Sequence, residues 1–303
     1  MTTNTNLSRA FTFAGTSLTV NRMGYGAMQL AGQDGDKRVW GAPRDIPGAI
    51  AVLREAVDSG VNHIDTSDFY GPHITNQIIK RALHPYPDDL VIVTKVGARR
   101  GADGSWLHAR SRQDIIEAVH DNLRNLQRDA LQVVNLRLGG FSTPEDEPFE
   151  EPLSALAELK QQGLVQHIGL STVSPRQLAD AQAITDIVCI QNLYNVAQRG
   201  DDQFIDDLGT QRIAYVPYFP LGGFSPLQSA ALNAASASVQ ATPMQVALAW
   251  LLQRAPNILL IPGTSSVGHL RENLAAARLE LPAETIAELD RIASNVGRST
   301  YAT

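Results

Sequence analysis

Short runs of apolar, often β-branched residues alternate along the chain with longer stretches of helical period. Residues 22–25, 62–66, 90–96, 131–138, 167–171, 187–191, 213–219 and 258–261 read as strands. Between and after them, helices are predicted over 47–59, 75–83, 111–126, from 175 on, and over 152–162, 201–208, 242–254, 266–277 and 282–294. The clearest is 111–126, where Ile115, Val119, Leu123 and Leu126 share a face, Ser111 can cap and Asp114 stands in the capping-box position. Ser174 followed by Pro175 marks another start. Before the repeat begins, residues 11–13 and 18–20 flank Ala14-Gly15-Thr16-Ser17 as a β-hairpin.

The strands are almost continuously apolar, as when other structure covers both faces of a parallel sheet. About eight strand-helix units leave two architectures, a closed barrel or an open doubly wound sheet. The open sheet places a three-glycine turn after its first strand, and Gly24-Tyr25-Gly26-Ala27-Met28 lacks the third glycine at that spacing. The expected fold is therefore α/β: a (β/α)8 TIM barrel with an N-terminal β-hairpin and an extra C-terminal helix, one domain over residues 1–303. The long connections 31–45, 97–110, 139–151 and 221–241 all follow strands. They fall on the face where barrel active sites are built.

Composition narrows the function classes. The 303 residues are 44% hydrophobic and 18% charged, ordinary for a globular chain. A net charge of -6 offers no broad basic face for nucleic acid or an anionic membrane. No apolar stretch approaches the ~20 residues of a membrane-spanning helix. The single cysteine, Cys189, sits in an apolar run and rules out an intrachain disulfide, so a cytoplasmic protein is expected. No HExxH, CxxC or P-loop is present, and neither metal catalysis nor nucleotide hydrolysis is suggested.

Polar groups gather at strand ends. Asp65 ends the second strand, Tyr70 follows in its loop, Lys95 ends the third and Gln191 the sixth. Singly, each suits a strand-end ion pair or a solvated tip. Together, in adjacent units, they suggest a catalytic group. A phenol is a poor acid near neutral pH, a neighbouring ammonium stabilises its phenolate, and a carboxylate holds that ammonium in place. Tyr70, Lys95 and Asp65 then form a tuned general acid for a carbonyl oxygen that turns negative as hydride arrives, and the hydride requires a nicotinamide cofactor. His63, two residues before Asp65, reads as a buried strand residue. Arg99, Arg100, Arg110 and Arg112 flank one loop, either as an anion site or as a solvated surface.

The motifs Gly24-Tyr25-Gly26-Ala27-Met28, Asp65-Thr66-Ser67-Asp68-Phe69-Tyr70-Gly71, Val93-Thr94-Lys95, Gly169-Leu170-Ser171, Gln191-Asn192-Leu193-Tyr194-Asn195 and Ile261-Pro262-Gly263-Thr264, followed by Glu272-Asn273, resemble those of the aldo-keto reductases over essentially the whole chain. Gly71-Pro72-His73, Val133-Val134-Asn135-Leu136-Arg137 and Phe219-Pro220-Leu221-Gly222-Gly223-Phe224 resemble a bacterial branch that includes pyridoxal reductases. The resemblance implies NADPH-dependent reduction of an aldehyde such as pyridoxal, with Asp65, Tyr70 and Lys95 as three members of the family tetrad. For the NADPH/NADP+ site it implies Gly26, Ala27 and Met28 near the cofactor, Ser171 and Gln191 on the carboxamide and Tyr218 stacked on the nicotinamide. Leu221 and Gly222 would lie along the pyrophosphate, and Gly263, Thr264, Ser265, His269, Glu272 and Asn273 would hold the adenosine with its 2′-phosphate.

Three positions depart from the family pattern. An ungapped alignment puts Gly140 where a histidine normally ends the fourth strand, and Thr172 and His269 replace a usual asparagine and arginine. Asn135 and Arg137 are the nearest polar residues on that strand, with Arg137 facing either the interior or the helices. Trp40, His73, Trp106, Phe141, Asn135 and Arg137 are the expected substrate-pocket residues. The partner is expected to be a small carbonyl compound, the protein a monomer. Two alternatives stay open: an NADPH-binding sensor with weak turnover, and an aldolase using Lys95 as a Schiff base.

Overall fold

The structure, a computed structural model, describes residues 7–140, 143–220, 222 and 230–292. Seven parallel strands lie side by side in chain order: β1 Tyr25–Gly26, β2 His63–Asp65, β3 Val91–Val96, β4 Leu131–Arg137, β5 Val165–Ser171, β6 Ile187–Gln191 and β7 Ala214–Tyr215. The predicted eighth strand closes the ring through single parallel bridges, Tyr215 to Ile258 on one side and Met23 to Leu260 on the other. Leu259 N donates to Tyr215 O at 2.9 Å, and Leu260 N donates to Arg22 O at 2.7 Å. The fold is the expected (β/α)8 barrel.

Side-chain alternation sorts each strand into two packing shells. Val91, Val93, Val133, Cys189, Ala214, Val216, Leu259 and Ile261 form an inner cluster. Ile64, Ile92, Val134, Leu136, Ile168, Leu170 and Ile190 belong to the outer cluster shared with the helices. The N-terminal hairpin, Ala10–Thr12 paired with Thr19–Asn21, sends Phe13 and Val20 into the inner cluster and so closes the end where the strands begin. The polar chemistry is left for the opposite end.

Capping sets where helices begin. Ser111 and Asp114 form a reciprocal capping box at the start of Arg112–Leu126, as do Ser174 with Gln177 and Thr242 with Gln245 at their helices. Most predicted bounds hold within two residues. The larger differences are a first strand that begins only at Tyr25 and a seventh reduced to Ala214–Tyr215; the final helix runs over Ala283–Asp290, and its expected end at 294 lies outside the described residues. Inside the connections, Gln33–Asp34 pairs with Lys37–Arg38, and Ala98–Arg100 pairs with Trp106–His108. A helix, Ala230–Ser238, lies within the segment read as loop. Its sequence is mostly alanine, which gives no contrast between a buried and an exposed face. No helix among the described residues is long and apolar enough to cross a membrane.

Candidate active site

Parallel register carries the polar strand ends to one place. Asp65 pairs with Val93, and Lys95 two residues on pairs with Asn135. Inward alternation therefore aims both Asp65 and Lys95 into the barrel mouth. Lys95 Nζ donates to Asp65 Oδ1 at 2.5 Å and to Thr66 O at 3.0 Å, while Gln191 Nε2 donates to Asp65 Oδ2 at 2.9 Å. Tyr70 reaches over this group from the loop after β2, its ring centroid 5.4 Å from Lys95 Nζ and its face turned edge-on to Phe69. All four side chains are buried.

Burial acts on the two titrating groups in opposite ways. It pushes the Tyr70 phenol up, and this outweighs the lowering by the Lys95 and Arg137 charges. The net lowering expected from the lysine neighbour alone is thus corrected: the unprotonated phenolate is the disfavoured form. Burial alone pulls the Lys95 ammonium down, but attraction to Asp65 and Tyr70, with the hydrogen bond to Asp65, raises it overall. Lys95 is held charged.

The group opens into a cleft of about 1350 Å³. Asp65, Tyr70, Lys95, Gln191 and Tyr218 line its inner end, with Trp106 at the rim. Gly26, Met28 and Gly263 line it where the first and eighth staves meet, and Thr264, Ser265, His269, Glu272 and Asn273 extend the wall. At that seam there is no room for side chains. A Cβ on Gly26 would stand 2.4 Å from Ile261 O, and one on Gly263 would stand 2.7 Å from Gly26 O. The wall continues onto the start of helix Val267–Ala275, where the Ser266 hydroxyl caps by accepting from His269 N. Thr242 Oγ1 donates to Glu272 Oε1 at 2.7 Å.

Several expected residues are not on this wall. Ala27 is fully buried beside it. Ser171 is buried with its Oγ lacking a partner among the described residues. Gly222 forms a turn, its N donating to Phe219 O at 2.9 Å. Leu221, Phe141, Gly223 and Phe224 lie outside the described residues.

Three residues expected in the substrate pocket do not line the cleft. Asn135 is sealed beneath the site, where its Oδ1 accepts from Cys189 Sγ at 3.2 Å. His73 turns to Asp68, with Nδ1 2.5 Å from Oδ2, and holds the N-cap position of the following helix in a left-handed backbone conformation. Trp40 stacks with Lys37 and Arg100, and Arg100 in turn lies 4.1 Å from the centre of Trp106. Of the arginine cluster, Arg110 pairs with Glu145 and Glu147, and Arg112 with Glu158.

The fourth strand also differs from the alignment. Arg137, not Gly140, reaches the cleft wall. It continues the inward series Val133 and Asn135, and its Nη2 donates to Gly140 O at 2.6 Å. That alternation was the signal available in the sequence.

The model of the Aldo/keto reductase family matches residues 22–294. The chain is 62% identical to a pyridoxine 4-dehydrogenase of Escherichia coli (strain K12), over 93% of this chain and 98% of that one. Among solved structures, a thermostable aldo-keto reductase in complex with epalrestat superposes with a TM-score of 0.78 at 27% identity, over 94% of this chain and 99% of that one. An aldo/keto reductase from Klebsiella pneumoniae, solved with NADP and acetate, gives 0.76 at 24% identity over 96% and 97% of the two chains, a likeness of fold. With its barrel closed and its strand-end carboxylate, lysine and tyrosine gathered at one mouth, this chain belongs to the aldo/keto reductase family.

Proposed function

We propose that the protein reduces pyridoxal to pyridoxine with NADPH, Tyr70 acting as the proton donor. The observation that carries this is the buried group Tyr70, Lys95, Asp65 and Gln191 opening onto a cleft whose inner seam is glycine. The similarity to a pyridoxine 4-dehydrogenase supports the substrate.

The residues present fit a nicotinamide dinucleotide. Ser171 offers a buried hydroxyl without a partner among the described residues, and Gly26 and Gly263 line the cleft with bare backbone, since the first and eighth staves pack too closely there for a side chain. Ser171, Gln191 and Tyr218 would hold the nicotinamide end. Gly26, Met28 and Gly222 would lie along the middle, with Ala27 backing them. Gly263, Thr264, Ser265, His269, Glu272 and Asn273 would hold the adenosine end, where a helix N-terminus favours an anion. When bound, NADPH supplies the hydride that reduces the carbonyl carbon.

The chain's own residues handle the proton. Because burial raises the Tyr70 phenol, it stays protonated near neutral pH and donates a hydrogen bond to the carbonyl oxygen. As charge grows on that oxygen, the proton moves from the Tyr70 hydroxyl to it. Lys95 and Arg137 offset the phenolate left behind. Asp65 and the Thr66 carbonyl fix Lys95, and Gln191 fixes Asp65.

A Schiff-base role for Lys95 fits poorly, since such a lysine needs a lowered pKa and this one is raised. The sensor alternative rested on the absent histidine, and Arg137 supplies a polar group at that end of the fourth strand. The reading also takes the protein as a cytoplasmic monomer with a small carbonyl substrate. The one cysteine is free and buried, and of the four large exposed apolar side chains among the described residues, Trp106 and Met244 belong to the cleft.

The test follows loss of the reduced-nicotinamide absorbance with a panel of aldehydes that includes pyridoxal, with NADPH and NADH side by side. Turnover of pyridoxal with NADPH preferred is expected. Tight NADPH binding without turnover of any aldehyde would replace the enzyme reading by the sensor.

A further inference from the structure

Arg137 brings a permanent charge to the cleft that no carboxylate among the described residues pairs with. Lys95 is neutralised by Asp65 at 2.5 Å. Arg137 forms no ion pair among the described residues; its one hydrogen bond goes to the neutral Gly140 carbonyl. That bond steadies the guanidinium and leaves other N–H groups of the fork available to a ligand. The side chain stands in the same wall as Tyr70 and Tyr218, at the inner end of the cleft. A cation placed beside a proton donor selects a substrate that carries an anion close to its carbonyl group.

We propose that Arg137 is a specificity-determining residue that binds an ionised oxygen on the ring atom next to the aldehyde, the 3-oxide of pyridoxal. The inference rests on the pyridoxal reading above. Near neutral pH the 3-hydroxyl of pyridoxal is ionised against the protonated ring nitrogen. Its oxygen and the formyl group sit on adjacent ring carbons and share one edge. That edge meets two donors, the Tyr70 hydroxyl at the carbonyl oxygen and the Arg137 guanidinium at the oxide. The two contacts together fix the ring's rotation, which one contact to the formyl oxygen leaves free.

The experiment uses the full chain with NADPH and three aldehydes: pyridoxal, its 3-O-methyl ether and pyridine-4-carbaldehyde. In Arg137→Gln, kcat/KM for pyridoxal falls roughly tenfold to a hundredfold further than for the other two, the size of a charged hydrogen bond. Arg137→Lys keeps the charge without the fork and recovers part of that difference. Bound pyridoxine gives a second readout. Its 3-hydroxyl, followed by the ultraviolet band, ionises at a lower pH on the unaltered protein than on Arg137→Gln. Equal losses for all three aldehydes, with no change in the band, would overturn the inference and leave the pyridoxal reading standing. A wild-type protein that reduces pyridine-4-carbaldehyde and ignores pyridoxal would overturn the substrate reading and the inference with it.

Discussion

Lys95 Nζ lies 2.5 Å from Asp65 Oδ1, and each side chain keeps only 5% of its surface exposed. Two charges sealed this well are stable only as a pair, since each alone loses its hydration without compensation. The pair therefore ties the fold to the chemistry: the contact that holds Lys95 charged beneath Tyr70 also satisfies the barrel mouth.

Breaking the pair from one side should cost both. Asp65→Asn is expected to destabilise the protein by about 3–5 kcal/mol, and the double replacement Asp65→Leu with Lys95→Met should recover much of that loss. Neither variant should turn over aldehyde. Urea unfolding alongside steady-state assays reads both effects. A double variant as unstable as the single one would mean that the ion pair is not the determinant.

Tyr70→Phe removes one oxygen from a buried ring. The variant should fold and bind NADPH with little change while kcat for aldehyde reduction drops about a hundredfold to ten-thousandfold, the usual contribution of a positioned acid. Turnover within a few-fold of wild type would exclude Tyr70 as the proton donor.

The raised Tyr70 phenol also sets the sign of the pH dependence. Reduction uses the protonated form, which persists through neutral pH. Oxidation of pyridoxine needs the phenolate as base, and its rate should climb with pH as the phenol ionises. Rate profiles in the two directions test this, and an oxidation rate that is flat through the alkaline range would contradict it.

His63 should govern acid stability. It is 1% exposed, neither ring nitrogen has a partner among the described residues, and burial pushes its pKa down to about 4. The unfolded chain binds a proton there below about pH 6.5, whereas the folded protein does not until about 4. Stability is then complete above 6.5 and falls as pH drops toward 4, by about 3 kcal/mol at most. Unfolding curves across this window should be flatter for His63→Leu. The same slope in both proteins would assign the acid loss to other groups.

His269 is exposed on the first turn of its helix, on the cleft wall. His269→Arg adds a fixed charged fork at the adenosine end and should raise the NADPH-over-NADH preference roughly tenfold. Cofactor titrations of the two proteins measure it. An unchanged preference would place the 2′-phosphate elsewhere.

The sequence alone determined what depends on neighbours along the chain. Alternating apolar runs and amphipathic stretches specified the strand-helix order, and Ser111 with Asp114 marked a helix start that the structure retains. A lysine directly after Val91-Ile92-Val93-Thr94 already pointed into the barrel mouth, because strand period is local. Tertiary structure decided what depends on groups far apart in sequence. Residues 258–261 become the eighth stave only by bridging Tyr215 and Met23. Asn135, His73 and Trp40 leave the pocket for partners supplied by Cys189, Asp68 and Arg100, contacts that no periodicity encodes. The phenol of Tyr70 is raised instead of lowered for the same reason: desolvation is a property of everything packed around a group, and it exists only once the barrel has closed.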